Sequence, residues 1–154
     1  MTPSLLEELR QTKPFASIEE ESLLSIVRTS AVLMDDFEQT LKPYGITATQ
    51  YNVLRILRGS EPGGLCRNEL RDRMLTRMPD VTRLLDRMEE AALVERARGG
   101  EDRRMVTTRI TKEALRLLAK LDKVVVEHHQ RYFKDVSEKQ LRSLIEVLAC
   151  VRQP

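Results

Sequence analysis

The arginines are the residues whose type and spacing first indicate a chemistry for this chain. Between Lys42 and Lys112 every basic side chain is an arginine. A guanidinium presents a planar fork of N–H donors that matches phosphate oxygens and the edge of guanine, whereas a lysine presents one compact charge. This interval is therefore predicted to contact a nucleic acid. The alternative is a solvated surface of ion pairs, because nine acidic residues nearly offset the ten arginines between positions 67 and 104.

A helix is predicted for residues 77–93, and the order of its charges favours a binding role. An apolar stripe repeats along one side at 3.6-residue spacing, while Arg83 projects from the opposite side. Pro79 suits a first helical turn. Arg77 and Arg83 lie early and two glutamates lie late, which is the reverse of what the helix dipole favours. The apolar stripe consists of Val81, Leu84, Leu85, Met88 and Ala92.

A β-hairpin is predicted directly after this helix. Residues 94–98 and 105–111 are rich in alternating and β-branched side chains, and Gly99-Gly100 supplies turn chemistry. With a short helix at 66–75, this makes a winged helix-turn-helix. Such a fold lays its second helix in a major groove and its hairpin tip against the DNA backbone or a minor groove. The charged tip consists of Glu101, Asp102, Arg103 and Arg104.

Helices with apolar stripes are predicted at both ends of the chain. Capping boxes at 17–20, 47–50 and 137–140 mark three helix starts. The winged-helix centre is too small for all of these helices to cover, so pairing with a second copy is expected to bury the stripes. A two-fold dimer would also place two recognition helices about one DNA turn apart. The stripes consist of Leu23, Ile26, Val27, Ser30, Met34, Phe37 and Leu41, and of Leu141, Leu144, Ile145, Leu148 and Val151.

On these residues the chain resembles the MarR family of winged-helix transcriptional regulators. The resemblance covers roughly residues 18–150 and rests on ITATQYNVLRIL (46–57), DVTRLLDRMEEAALVER (80–96) and Asp102-x-Arg104 leading to Ile110-Thr111-Lys112. It implies a mainly α fold with a two-to-three-stranded β wing, flanked by N- and C-terminal helices that intertwine in an obligate homodimer. Many members have a glycine where this chain has Ala92, so a less tightly turned backbone is expected there.

The resemblance also implies a division of labour and a set of DNA contacts. Residues 1–45 would form an N-terminal arm and dimerisation helix, 46–111 the DNA-binding domain, and 112–154 the C-terminal dimerisation helices. Such a dimer would act as a repressor on an inverted-repeat operator, with Arg104 in the minor groove and Asp102 orienting it. The predicted DNA-contacting residues are Arg67, Arg77, Asp80, Thr82, Arg83, Arg87, Arg98, Asp102, Arg103 and Arg104.

A small-molecule signal is a further implication of the resemblance. Many members bind small aromatic or phenolic anions between the dimer helices and the winged-helix lobe. The segments that would border such a space contribute Met34, Tyr44, Tyr51 and Arg55. These four residues are the predicted effector site.

The cysteines and histidines favour neither a disulfide nor a metal site. Cys66 and Cys150 lie too far apart in sequence to indicate a disulfide framework, which suits a reducing cytoplasm. Cys66 stands beside Arg67 near a helix N-terminus, a setting that lowers a thiol pKa, so a redox switch is one hypothesis and a small, partly buried side chain the simpler one. His128 and His129 are adjacent and point about 100° apart, which does not suit a shared metal. No metal or cofactor is predicted.

Several classes of protein are disfavoured by composition. The chain has no apolar run of about 18 residues and no export signal, so a cytoplasmic protein is expected. A net charge of +2 is too small to indicate nucleic acid by itself. The sequence has no catalytic triad, phosphate loop or carboxylate cluster, so it is not expected to be an enzyme. Two alternatives stay open, a winged-helix module that binds protein and a cysteine-based redox-sensing regulator.

Overall fold

A computed structural model of the protein describes residues 3–98 and 106–153. Within these ranges it contains seven α-helices and a three-stranded antiparallel sheet, which confirms the mainly α winged helix-turn-helix fold. The chain divides into two compact units, residues 1–48 and 49–154. The elements are α1 (Leu5–Glu8), α2 (Ile18–Leu41), α3 (Ala48–Arg58), β1 (Leu65–Cys66), α4 (Arg67–Arg73), α5 (Val81–Glu90), β2 (Val94–Arg98), β3 (Val106–Ile110), α6 (Lys112–Tyr132) and α7 (Glu138–Val151).

The first unit is built on the long helix α2. The Ser17 hydroxyl caps this helix by accepting from the backbone N–H of Glu20 at 3.2 Å. The Glu20 carboxylate, however, accepts from the N–H of Ala16 at 2.6 Å and not from that of Ser17. The capping box predicted at 17–20 is therefore only half formed. After α2 a 3-10 turn, Lys42–Tyr44, ends at Gly45 with a φ of 73°.

The apolar stripes of α2 and α7 are largely uncovered in the single chain. Leu41 is the one buried residue of α2, and α7 has none. Leu23 and Ile145 are 59% and 64% exposed. Within one chain, therefore, α2 and α7 leave most of their stripes exposed, and the expectation that a second copy buries them stays a prediction. Covering these stripes requires a surface that the single chain does not supply.

The core of the second unit draws on four successive helices. Side chains from α3, α4, α5 and α6 are almost fully buried there, and each such leucine or methionine stabilises the fold by about 1.5–3 kcal/mol. The Thr111 hydroxyl caps α6 and the Ser137 hydroxyl caps α7, and the second cap belongs to the capping box predicted at 137–140. The largest fully buried side chains of these helices are those of Leu54, Leu57, Leu70, Leu85, Met88, Leu118 and Leu121.

The sheet joins the wing to the start of α4. Its order is β1-β3-β2, and all neighbours are antiparallel. Val94 pairs with Ile110 at the base of the β2–β3 hairpin, which we call the wing, and Leu65 pairs with Thr108. This third strand agrees with the two-to-three-stranded wing that the resemblance implied. Since β1 leads directly into α4, the sheet fixes the start of the helix-turn-helix relative to the wing.

Ala92 adopts the left-handed conformation, contrary to the expectation of a less tightly turned backbone. Its φ is 56°. The turn is held on both sides, because the Ala92 N–H donates to the Glu89 carbonyl at 2.9 Å and the Thr111 hydroxyl donates to the Ala92 carbonyl at 2.8 Å. These bonds join the end of α5 to the start of α6, so the backbone keeps its turn even without glycine.

Replacing Ala92 by glycine is therefore expected to stabilise the protein. An L-residue in the left-handed conformation costs about 1–2 kcal/mol, and glycine removes this cost. Part of the gain is lost again, because a chain with glycine is more flexible when it is unfolded. We expect a net gain of about 0.5–1 kcal/mol in the free energy of unfolding, measured by urea titration. Ala91→Gly is the control, because Ala91 has a φ of −81°. A stabilisation by both variants, or by neither, would contradict this explanation.

Candidate nucleic-acid interface

The recognition helix α5 begins later than the sequence pattern indicated. Asp80 is its N-cap, and the carboxylate accepts from the backbone N–H of Arg83 at 2.9 Å. Pro79 and Arg77 therefore precede the helix, and the prediction of a helical start near residue 77 is wrong. An acidic N-cap accepts a hydrogen bond from a backbone N–H that has no partner within the helix, and its negative charge interacts favourably with the helix dipole. The Arg83 Nε lies 3.6 Å from the other Asp80 oxygen, in an exposed pair.

Helix α5 separates an apolar side from a polar one. Four of the five residues of the predicted apolar stripe are buried on this helix, and the fifth, Ala92, lies beyond the helix end. Thr82, Arg83 and Arg87 are exposed. Arg67 at the start of α4 donates from Nη1 to the Thr82 hydroxyl at 3.1 Å, and this bond joins the two helices of the helix-turn-helix. The predicted residues of α4 and α5 are thus brought together on one surface.

Three of these arginines have no carboxylate partner. Within residues 3–98 and 106–153, Arg67, Arg77 and Arg87 form no ion pair. Other arginines of the chain are paired, such as Arg58 with Asp122 at 2.9 Å and Arg142 with Glu138 at 2.5 Å. Exposed guanidinium groups without a carboxylate keep their N–H donors for water or for a ligand. We call Arg67, Arg77, Thr82, Arg83 and Arg87 the arginine surface.

The turn that carries Arg77 is held by a buried side chain that sequence reasoning missed. Asn52 on α3 is only 7% exposed, and its Oδ1 accepts from the Leu75 N–H at 3.0 Å. In the sequence, Asn52 stands inside an apolar run and no spacing links it to Leu75. A polar residue within such a run is the one signal that could have indicated a buried hydrogen bond.

The wing is described up to the end of each strand. Arg98 is exposed at the end of β2, and Val106 opposite it begins β3. The predicted contacts Asp102, Arg103 and Arg104 lie outside the described residues. Their roles in DNA binding stay predictions.

A charged cluster joins the wing to the recognition helix. Arg96 on β2 donates from Nη2 to Asp86 at 2.7 Å and to Glu89 at 2.6 Å, and from Nε to Glu89 at 3.0 Å. These hydrogen bonds hold the pKa of the Glu89 carboxyl below its ordinary value, and the same bonds raise the pKa of Arg96. Sequence analysis did not single out Arg96, because residues 7 and 10 positions apart in a helix and a strand show no periodic relation. We call Arg96, Asp86 and Glu89 the Arg96 clamp.

The predicted effector residues fall in both units. Tyr51 on α3 is buried, and this burial raises the pKa of its phenol, with nearby Arg58 and Arg55 opposing the shift. Arg55 is exposed one turn later on the same helix. In the first unit, Met34 is 43% exposed on α2 and Tyr44 is half-buried in the 3-10 turn. Whether the four form one site stays a prediction.

The cysteines and histidines have structural surroundings. Cys66 is the N-cap of α4, and its backbone N–H donates to the Glu69 carboxylate at 2.8 Å, which lowers the pKa of Glu69. Cys66 also lines a cavity of about 410 Å³ beside Arg67, Thr82 and Arg96.

Burial is the main cause that lowers the pKa of His129, and the charge of His128 is the second. In the part of the chain that the structure describes, no three His, Cys, Asp or Glu side chains are grouped as a metal site. Over the same residues, no helix is long and apolar enough to cross a membrane.

Comparison with known proteins defines the class. A family model described as the MarR family matches residues 44–105. The chain is 29% identical over 126 residues to the HTH-type transcriptional repressor IacR of Pseudomonas putida, covering 82% of this chain and 74% of that protein. It is 33% identical to a MarR transcription factor from Planctomyces limnophilus, whose crystal structure matches with a TM-score of 0.67 over 89% of this chain and 99% of that one. The fold also matches the transcriptional repressor CouR bound to a 23-mer DNA duplex, at 22% identity and a TM-score of 0.76 over 99% of this chain and 100% of that one.

The fold and these relatives define a helix-turn-helix transcription regulator. More specifically, the chain belongs to the MarR family. This confirms the resemblance drawn from the sequence. Members of the family regulate transcription, so the prediction that the chain is not an enzyme is confirmed by its membership.

Proposed function

We propose that the protein is a homodimeric repressor that binds an inverted-repeat operator through α5 and the wing. The observation that carries this proposal is the arginine surface, where three guanidinium groups with no carboxylate partner among the described residues adjoin the exposed side of an N-capped helix. Duplex DNA offers the complementary chemistry, since phosphates accept from arginine and the major groove presents guanine edges. A regulator that acts on chromosomal DNA would work in the cytoplasm.

Dimer formation is supported by the uncovered helices of the two ends. Ile18 on α2 is 69% exposed, and Val147 on α7 is 59% exposed. A 14-residue amphipathic helix without one buried residue is marginal in water, because helical stability comes mainly from packing of the apolar side. A second copy would cover residues of 1–45 and 112–154 and leave residues 46–111 to bind DNA. The two recognition helices of such a dimer would meet successive turns of an inverted repeat.

The relatives support the DNA partner and the repressor role. IacR is a transcriptional repressor by name, and CouR is a repressor seen on a DNA duplex. This chain has the same fold, and it has the exposed arginines where a winged helix would meet DNA. Arg67 and Arg87 would bind phosphates, and Arg98 and the wing tip would lie at the minor groove. The residues that would face the major groove are Arg77, Asp80, Thr82 and Arg83.

A small aromatic or phenolic anion is the proposed signal. Tyr51 and Arg55 stand four residues apart and hence on one side of α3, where a ring and a cation would suit such a ligand. Met34 and Tyr44 are the proposed contributors from the first unit. A salicylate-like compound should then raise the melting temperature of the wild type and shift Arg55→Ala less. Equal shifts in both proteins would remove Arg55 from the site.

Replacing Arg83 tests the DNA-binding surface. We expect Arg83→Ala to weaken binding to the operator by about tenfold and to narrow the preference for operator over unrelated duplex, because a base contact is worth about 1–3 kcal/mol of discrimination. The affinity is measured by fluorescence anisotropy at fixed salt, with DNA from upstream of the protein's own gene. Arg142→Ala on α7 is the control, because it removes the same charge from a paired arginine. Equal losses of operator affinity in the two variants would show that net charge alone accounts for the effect.

A further inference from the structure

We propose that Arg96 is a positioning residue for DNA binding, which fixes the wing at the angle to α5 that lets helix and wing bind one duplex together. The inference rests on the proposed function. Arg96 itself touches no DNA in this scheme. It acts through the strand to which it belongs and through the two carboxylates of α5 that hold it.

The Arg96 clamp joins the two elements through several bonds. The Glu89 carboxylate accepts from the backbone N–H of Arg96 at 3.1 Å in addition to the side-chain bonds to Nε and Nη2. Asp86 accepts from Nη2 one turn earlier on α5. The guanidinium donates from Nε and Nη2 to one oxygen of Glu89 and from Nη2 to Asp86, and a group bonded at two successive turns resists both sliding and rotation of the strand relative to the helix axis.

Burial and occupancy distinguish Arg96 from the arginines of the arginine surface. Its side chain is 25% exposed, against 76% for Arg83. Partial burial strengthens its ion pairs relative to exposed ones. Two of its three guanidinium nitrogens, Nε and Nη2, are already engaged by carboxylates of α5, so it is less well placed than an exposed arginine to bind phosphate. An arginine that is satisfied within the protein, yet lies on the strand leading to the wing tip, is suited to hold the wing and not to contact DNA.

The position of Arg96 on β2 connects the clamp to the part of the wing that would contact DNA. Arg96 is two residues before Arg98, the exposed end of β2, and residues 99–105 follow. Linking two binding elements rigidly converts the second contact into an intramolecular one, with a gain in affinity that is lost when the geometry fails. Releasing the strand should therefore weaken binding by the wing and leave binding by α5 intact.

Glu89→Gln distinguishes a positioning role of Arg96 from a purely electrostatic one, because the two predict opposite changes in DNA affinity. Removing a negative charge near DNA should tighten binding if only charge matters. If the clamp positions the wing, the same change should weaken operator binding by about tenfold, since one of the two ionic partners of Arg96 is lost and only Asp86 remains. Glu90→Gln is the matched control. It makes the same charge change one residue away, at an exposed side chain that forms no hydrogen bond or ion pair with the described residues.

Footprinting shows which part of the contact is lost. Hydroxyl-radical protection of the minor groove, where the wing would lie, should fade in Glu89→Gln, while protection of guanine N7 from methylation in the major groove should persist. A purely structural role would weaken both protections together. Should Glu89→Gln fail to fold, Arg96→Lys keeps the charge and loses the fork, with Arg58→Lys as its control at the Arg58–Asp122 pair between α3 and α6.

The outcomes separate the inference from the proposed function. Weaker operator binding by Glu89→Gln with selective loss of minor-groove protection, beside unchanged or tighter binding by Glu90→Gln, supports the clamp. If the wild type binds the operator but the two glutamine variants have the same affinity, the positioning role of Arg96 is overturned and the proposed function stands. The same conclusion follows if Glu89→Gln weakens the protection of both grooves equally. A wild type that binds no duplex DNA overturns the proposed function and the clamp with it.

Discussion

Ile145→Asp is expected to make the protein monomeric and to abolish operator binding. Ile145 is 64% exposed in the single chain, so an aspartate there costs little in one copy. In the proposed dimer each copy would bury an unpaired carboxylate, which costs several kcal/mol. The dimer dissociation constant should rise by at least about a hundredfold, and a monomer reaches only half of an inverted repeat. Sedimentation velocity over a concentration series measures the first effect, and anisotropy on the operator measures the second.

The control for this prediction uses the other side of the same helix. Ser143 is exposed two residues earlier, about 200° around α7 from Ile145. Ser143→Asp adds the same charge to α7 and should remain dimeric and bind DNA. If Ile145→Asp stays dimeric while its circular dichroism is native, the apolar side of α7 is not the dimer surface and that part of the proposal is wrong.

Gly64→Ala is expected to lower the stability of the fold by about 2–4 kcal/mol. Gly64 has a φ of 73°, and a Cβ there would stand 2.6 Å from the Thr108 carbonyl oxygen and 2.8 Å from the Thr107 Cγ2. The left-handed backbone alone costs an alanine about 1 kcal/mol. The clash adds to this because β1 must move away from β3. The melting temperature should fall by roughly 5–15 °C at matched protein concentration.

Gly45 supplies the matched control for the close approach. It has the same φ of 73°, but a Cβ there would meet nothing within 4 Å. Gly45→Ala should therefore carry the conformational cost alone, about 1 kcal/mol. Equal destabilisation by the two substitutions would show that the contact of residue 64 with β3 contributes nothing.

Local patterns were enough to predict the elements but not their exact ends. The apolar periodicity of α7 and the hydroxyl cap at Ser137 depend on neighbours in sequence, and they are as predicted. The start of α5 was misplaced because Pro79 and Asp80 both suit a helix start. The structure resolves the choice through the Asp80 side chain, which accepts from the Arg83 N–H.

Contacts between elements account for what the sequence did not reveal. The bond from Leu75 to Asn52 and the bonds of Arg96 to α5 join residues whose separation has no period. The left-handed Ala92 is held by Thr111, nineteen residues away. Such features depend on how elements pack, and a pattern read along one chain carries no information about that. The apolar stripes at the two ends were visible in the sequence, but their exposure required the structure.

Two copies of the arginine surface are proposed to bind one duplex, and a salt titration of complex formation tests this binding most directly. The DNA is the inverted repeat upstream of the protein's own gene, and light scattering gives the number of protomers in the complex. We predict two protomers per duplex and a log affinity that falls with log salt by about 0.9 for each phosphate contact, with a slope steeper than about −4. One protomer per duplex, or an affinity that does not change with salt, would contradict the account.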